Sequence, residues 1–302
     1  MLRERDPWHG VPEDKRLEFE VVGGELAPLA EATINKLDRE WPSRFAHIAG
    51  AQTLFRSLTI VAVTTYETLK YFCADKPEDP ARKLSFGTSS PPLLRSLVDE
   101  IYTVIFLGED LEKRVPWYYR AGWREIAEQD VTYRERYGDD PSWKEWFEEH
   151  RQFLELTRKD WGISDTQARN PQLIRRWPTP GQMTRLNDLS PESKEFFEFL
   201  EALYYREFSQ GTHLTFPGLS HRGGSFLRKK GDDLRENEWL KIRSDSVGYA
   251  VVLLLALLTE INHLFGLALG QRCAYLWGVL SEYLGIAKEL YSERYESLLA
   301  SR

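Results

Sequence analysis

An arginine, a hydroxyl group and a histidine are spaced along one stretch of this chain so that they would share a helix face. Arg206, Ser209 and His213 are separated by three and four residues, the spacing that stacks side chains over successive helical turns. An arginine can neutralise a phosphate, and a histidine titrates near neutral pH, so this set can bind or cleave a phosphodiester. We therefore take Arg206, Glu207, Ser209 and His213 as candidate catalytic residues.

The residues around this helix end suggest how a substrate would be held. A glycine-rich, basic loop is predicted over 214–235. The candidate substrate-binding residues are Tyr205, which precedes this loop, and five residues within it: His221, Arg222, Arg228, Lys229 and Lys230. Glu207 and two aspartates dilute the positive potential. The plainer interpretation is that Arg206, Ser209 and His213 lie on the solvated face of an amphipathic helix. A helical projection places an apolar stripe on the opposite side, toward the core, formed by Phe196, Phe197, Leu200, Leu203, Tyr204 and Phe208.

Composition excludes several classes of protein. The 302 residues are 42% hydrophobic and 13% aromatic, enough for a core without disulfides or metals. The net charge of -7 argues against bulk DNA binding. Cys73 and Cys273 are far apart and predict buried thiols in a reducing cytoplasm. The N-terminus has no apolar segment of a secretory signal, and the longest apolar run, 249–258, is short for a membrane span, so we expect a core helix there.

The pattern of helix signals predicts an all-α fold, a bundle of roughly seven to eight helices. A first helix is expected from Glu25 to Trp41, and later helices begin at serine– or aspartate–proline pairs in which the first residue caps the helix: Ser90-Pro91, Asp140-Pro141 and Ser190-Pro191. One short hairpin is allowed within the 214–235 loop. We expect an N-terminal arm over 1–22 and a single helical domain over 23–302, with a sub-boundary in the long 160–189 connection.

Charged residues inside apolar helices predict structural ion pairs. Glu67, Glu100 and Glu260 occur in such helices, which also carry Arg56 and Arg95, and pairing would offset the cost of burial. Glu260 and His263 also form a Glu-x-x-His pair of the type that holds iron in helical bundles. Because the chain has no second pair, we predict no metal and no cofactor, and keep a carboxylate-bridged metal protein as a second alternative.

Two resemblances bear on function. Arg206 and His213 match the Arg-x4-6-His motif of the HEPN ribonucleases, although the residue after the arginine is usually Asn, Asp or His there and is Glu207 here. Segments 92–100, 177–181 and 205–213 resemble a bacterial all-helical family classed as a domain of unknown function, over about residues 50–270. The HEPN resemblance implies a homodimer that cleaves RNA without metal, with His213 as general acid or base and Arg206 on the phosphate.

These observations favour a HEPN-like, metal-independent endoribonuclease, of the toxin or antiviral defence type, in the cytoplasm. RNA and a second copy of the chain are the expected partners, with no membrane and no bulk DNA binding. The alternative is a non-catalytic helical scaffold or partner-binding protein, in which Arg206 and His213 only fix a turn.

Overall fold

A computed structural model describes residues 13–73, 89–206, 208–209 and 232–300. Within the first and last of these ranges, side chains are described from residue 22 and from residue 245 onward. The 214–231 part of the basic loop, where the hairpin was allowed, lies outside the described residues.

Every regular element in these ranges is helical, so the all-α prediction is confirmed. The α-helices are α1 (Glu13–Arg39), α2 (Ala51–Phe72), α3 (Ser90–Glu109), α4 (Leu111–Tyr137), α5 (Lys144–Asp160), α6 (Asp165–Arg169), α7 (Pro180–Met183), α8 (Pro191–Leu200), α9 (Asp232–Phe265), α10 (Gly270–Tyr283), α11 (Gly285–Leu290) and α12 (Glu296–Ala300). Two π-helical segments, Glu201–Tyr205 and Tyr291–Tyr295, follow α8 and α11. The helices outnumber those predicted because the 160–189 connection and the C-terminal region contain short ones.

Helix α1 begins at Glu13, well before the predicted start at Glu25 and inside the segment expected to be an arm. From Val22 onward the helix packs on the core, because Val22, Leu26 and Leu29 are fully buried on one face. Burying these side chains outweighs the low helix propensity of Gly23 and Gly24 between them.

The core is built around α9, which contacts α1, α2, α3 and α10. Every residue from 250 to 262 is buried, as expected for a helix covered on all sides. By length and composition, the segment Asp245–Phe265 could cross a membrane, with mean hydropathy 1.7, but 78% of its most apolar window is buried inside the fold. Packing against its neighbours accounts for this apolar character.

Helix α8 is fixed against α3 by a carboxylate at the end of α3. Glu109 accepts hydrogen bonds from Ser190 N at 3.0 Å and Ser190 Oγ at 2.6 Å, and another from Ser193 Oγ. Burial acts to raise the pKa of Glu109, but these bonds from the two serines bring it below its ordinary value. Ser190 also caps α8 by accepting from Ser193 N, so the predicted helix start is tied to the core.

The start of α3 differs in detail from the prediction, and the start of α4 is capped by an aspartate. Helix α3 begins at Ser90, but this serine is buried and its Oγ lies 2.7 Å from Ser246 Oγ instead of capping the helix. Helix α4 begins at Leu111, where Asp110 accepts from Lys113 N, and Pro116 lies inside the helix. Pro116 has no N–H to donate to Glu112 O, so α4 lacks one hydrogen bond in its second turn.

A second, smaller apolar cluster holds the 160–176 segment against α4. It consists of Trp123, Ala127, Ile163 and Ile174. Trp123 Nε1 also donates to Leu154 O of α5 at 3.0 Å. The 160–176 part of the long connection, which shows no helical periodicity in the sequence, is therefore packed against α4.

Candidate functional site

The end of α8 meets the first half of α3 in a group of polar and aromatic side chains. The guanidinium carbon of Arg95 lies 3.4 Å from the centre of the Tyr205 ring, a cation–π contact. Arg95 Nη2 also lies 3.2 Å from Asp99 Oδ1, one turn further along α3. We name Arg95, Asp99 and Tyr205, together with their chain neighbours Glu100 and Arg206, the Arg95 cluster.

The aromatic residues of α3 and α8 explain why these segments meet. The Tyr102 hydroxyl donates to Phe197 O at 2.7 Å, and the two rings lie 4.5 Å apart between centroids. Tyr102 also contacts Tyr205 edge-on at 6.1 Å. Because Tyr102 is fully buried, its hydroxyl needs this backbone acceptor, which fixes the register of α8 on α3.

Burial shifts the titration of the acidic members toward neutral pH. Burial raises the pKa of Asp99 to about 6, against the opposing effect of the Arg95 cation. Burial also raises the pKa of Glu100 to about 8, opposed by a hydrogen bond from Ser96 and reinforced by the charge of Asp99. Two adjacent carboxyl groups of α3 therefore exchange protons in the range where general acid–base chemistry is most effective.

Three buried atoms of the cluster have no hydrogen-bond partner among the described side chains and backbone. These are Arg95 Nε, Glu100 Oε2 and Asp99 Oδ1, whose approach to Arg95 Nη2 is an ion pair without hydrogen-bond geometry. Buried polar atoms are nearly always paired in folded proteins, so one donor and two acceptors without hydrogen bonds at one site are unusual. Such atoms concentrate where a protein binds something or carries out a reaction.

Arg206 projects from the cluster toward solvent. Its side chain is 72% exposed, and Glu201 Oε1 lies 3.9 Å from its Nη2. Ser209 is half-buried, beside the buried Phe208. The remaining predicted site residues, Glu207, His213, His221, Arg222, Arg228, Lys229 and Lys230, lie outside the described residues, so the relation of Arg206 to His213 stays a prediction.

The π-helical segment Glu201–Tyr205 changes which residues face the core. Phe196, Phe197, Leu200, Tyr204 and Phe208 are buried as the projection predicted, but Leu203 is 41% exposed. A π turn holds more residues than an α turn, so positions within it rotate away from the regular α-helical phase. The prediction of a buried Leu203 was wrong for this reason. The same change places Tyr205 against Arg95.

The predicted structural ion pairs lie in different places. Arg56 pairs at the surface with Asp38, at 3.0 Å, and Glu67 pairs with Lys70 at 3.2 Å; each of the four side chains is about half exposed. The expectation of burial was wrong for these two residues because they occupy the solvent side of α2. Glu260 is buried, with Arg294 as its partner.

The Glu260–Arg294 pair is bidentate. Arg294 Nε donates to Glu260 Oε1 at 2.5 Å and Arg294 Nη2 donates to Oε2 at 3.1 Å. Although burial alone would lower it, the pKa of the arginine is raised by the glutamate. Arg294 belongs to the second π segment, which no sequence signal predicted. With its oxygens engaged in this way, Glu260 is part of the core structure.

The structure offers no cluster that a metal would need within the part of the chain it describes. No group of three or more His, Cys, Asp or Glu side chains converges there. Both cysteines are buried thiols, as expected.

Sequence patterns missed a groove of about 700 Å³ between α4, the turn before α2 and the end of α5. His47 Nε2 and Glu112 Oε1 lie 3.0 Å apart in it, and Tyr119 stacks on Trp161 with centroids 5.1 Å apart. The Tyr119 hydroxyl donates to Gly50 O at 2.8 Å. These residues come from three separate segments with no shared periodicity. Only the length of the 160–189 connection pointed to this region.

No protein-family model, curated protein or solved structure matches this chain. The family resemblances drawn from short motifs therefore stay predictions.

Proposed function

We propose that this protein is a HEPN-like, metal-independent endoribonuclease whose active site lies where the Arg206–His213 segment adjoins the Arg95 cluster. The observation that carries the proposal is the stacking of Arg95 on Tyr205, beside the exposed cation of Arg206 and the carboxyl group of Asp99. This arrangement supplies positive charge, an aromatic surface and a titratable acid at one helix end.

Each group has a role in cleaving a phosphodiester. Arg206 neutralises the phosphate, and Arg95 adds a second positive charge nearby. RNA provides the nucleophile through its own 2′-hydroxyl, whose proton must pass to a base as the new P–O bond forms. A proton must also reach the leaving 5′-oxygen as that bond breaks. His213 takes one of these proton transfers in the resemblance, and Asp99 titrates in a suitable range for the other.

RNA cleavage in the presence of EDTA tests this proposal. We expect the wild-type protein to cleave a structured RNA, and His213→Ala and Arg206→Ala to lose at least about a hundredfold in rate, the usual contribution of a general acid or base. Arg185→Ala and His150→Ala are the controls, since both residues lie outside the Arg95 cluster. Full activity in the folded Arg206 and His213 variants would reject the assignment. Cleavage that stops in EDTA would reject metal independence.

A partner-binding role is the alternative, and one observation favours it. The outer face of α2 exposes Ile60, Val61 and Tyr71, with exposed fractions of 36%, 50% and 76%. We propose that this face packs against a second copy of the chain, a contact that suits a partner-binding protein and the nuclease homodimer alike. Light scattering of the full chain should then give a dimer, and Val61→Glu should give a monomer. A monomeric wild-type protein would exclude this dimer.

A further inference from the structure

A second concave site lies on α4, apart from the Arg95 cluster and with no residue in common with it. It has a volume of about 240 Å³, and its wall includes Lys113, Trp117 and Arg120 of α4 together with Gln167 and Arg175 from the connection. The site is therefore formed by a regular helix on one side and by the ordered 167–175 segment on the other.

The charge of this pocket is opposite to that of the protein as a whole. Among the described residues, three cations and no carboxylate line it, although the chain carries a net charge of -7. Lys113 Nζ lies 2.9 Å from Asp188 Oδ2 at the exposed rim. Arg120 and Arg175 have no carboxylate within 4.0 Å among the described residues, which leaves two cations available to an anion.

Neighbouring groups hold both arginines in place. The guanidinium carbon of Arg175 lies 4.0 Å from the centre of the Trp117 ring, while Trp117 Nε1 donates to Arg175 O at 3.2 Å. One tryptophan thus fixes both the side chain and the backbone of Arg175. Arg120 Nε donates to Pro116 O at 3.2 Å, so its two terminal nitrogens remain for a ligand.

The wall that carries Arg175 is bonded directly to α4. Arg124 Nη1 donates to Ile174 O at 2.6 Å and to Gln172 O at 3.3 Å. Together with the bond from Trp117, these contacts anchor three carbonyl groups of the 172–175 segment. Binding an anion here would require little ordering of the chain, which lowers the free-energy cost of binding.

We propose that this pocket binds the phosphate group of a phosphorylated small molecule. Each of the two arginines can donate a pair of parallel hydrogen bonds to phosphate oxygens, and Lys113 and Gln167 add further hydrogen-bond donors. Small-molecule sites usually occupy about 300–1,000 Å³. At about 240 Å³ this pocket is smaller, so by itself it can hold little more than the phosphate group. Arg120 also lines the neighbouring groove of about 700 Å³, where Tyr119 and Trp161 offer an aromatic wall to the rest of a nucleotide.

Calorimetric titration of the full chain with inorganic phosphate, adenosine monophosphate and adenosine tests the proposal. We expect both phosphate-bearing probes to bind, more weakly as salt increases, and adenosine to bind much more weakly than its monophosphate. Tighter binding of the monophosphate than of phosphate identifies a nucleotide-type ligand, and equal binding identifies free phosphate; either result supports the pocket. Adenosine that binds as tightly as its monophosphate would overturn the proposal, as would no binding of any probe at millimolar concentration.

Variants locate the binding. Arg120→Gln and Arg175→Gln should each weaken binding by about tenfold or more, the effect of losing one charged hydrogen-bonding partner. Arg175→Lys keeps the charge but loses the planar fork, and should fall between Arg175→Gln and wild type. Arg185→Gln removes an exposed arginine elsewhere and should bind as wild type does. Unchanged affinity in folded Arg120 and Arg175 variants would reject the site.

Discussion

Replacing Glu100 by glutamine should stabilise the protein at alkaline pH and leave it almost unchanged in acid. Glu100 is only 7% exposed, and burial raises its pKa from 4.5 to about 8. In the unfolded chain the carboxyl group ionises near pH 4.5, whereas the folded protein keeps its proton up to about pH 8. The folded state therefore binds more protons across this window, and its stability falls as the pH rises.

The size of the effect follows from the same pKa. Each pH unit corresponds to about 1.4 kcal/mol, so a rise from 4.5 to about 8 predicts a loss on the order of 5 kcal/mol above pH 8. Glutamine has nearly the same shape and never ionises. The gain in the free energy of unfolding for Glu100→Gln should be close to zero at pH 4 and grow through the window.

Urea denaturation followed by tryptophan fluorescence, repeated from pH 4 to pH 9, measures this difference. Glu195→Gln on α8 is the matched control because Glu195 is solvent-exposed. A difference between Glu100→Gln and wild type that stays constant with pH would refute the reasoning. So would a glutamine variant that is less stable than wild type at pH 9.

Two further predictions concern the fold. Arg294→Ala should lower the free energy of unfolding by about 3–5 kcal/mol, because it leaves Glu260 buried and unpaired. In denaturation experiments, the double variant that also carries Glu260→Gln should recover part of this loss. A loss below about 1 kcal/mol in Arg294→Ala would contradict the role of the pair. Gly50→Ala should cost about 1–3 kcal/mol from its positive φ alone, and more because the new methyl would lie 2.6 Å from Tyr119 Cε2. Gly162→Ala is the control, because Gly162 also has a positive φ, +64°, but an added Cβ there would meet no atom within 4 Å. Thermal unfolding of the two variants therefore separates the backbone strain from the contact with Tyr119. Equal losses of stability in both variants would show that the Tyr119 contact is unimportant.

The sequence predicted those features that depend on neighbouring residues along the chain. The all-α class followed from helical periodicity, and the start of α8 followed from the Ser190-Pro191 pair. The burial of α9 followed from its apolar run. Each of these signals acts over a few residues, where spacing and capping determine the local structure.

Features that depend on distant residues were not predictable in the same way. The partner of Glu260 is Arg294, from a π segment without a sequence signature. The π segment before Arg206 moved Leu203 to the surface, against the α-helical projection. The basic pocket on α4 combines residues from two segments that are contiguous only after folding.

The most direct test of the account is the rate at which the full-length protein cuts a fluorescently labelled RNA oligonucleotide with all divalent metal chelated. We expect measurable cutting that falls in Arg95→Ala and Arg206→Ala but not in Arg185→Ala. An intact RNA after prolonged incubation with folded, dimeric wild-type protein, or equal rates in all three variants, would contradict the assignment of a nuclease site to the Arg95 cluster.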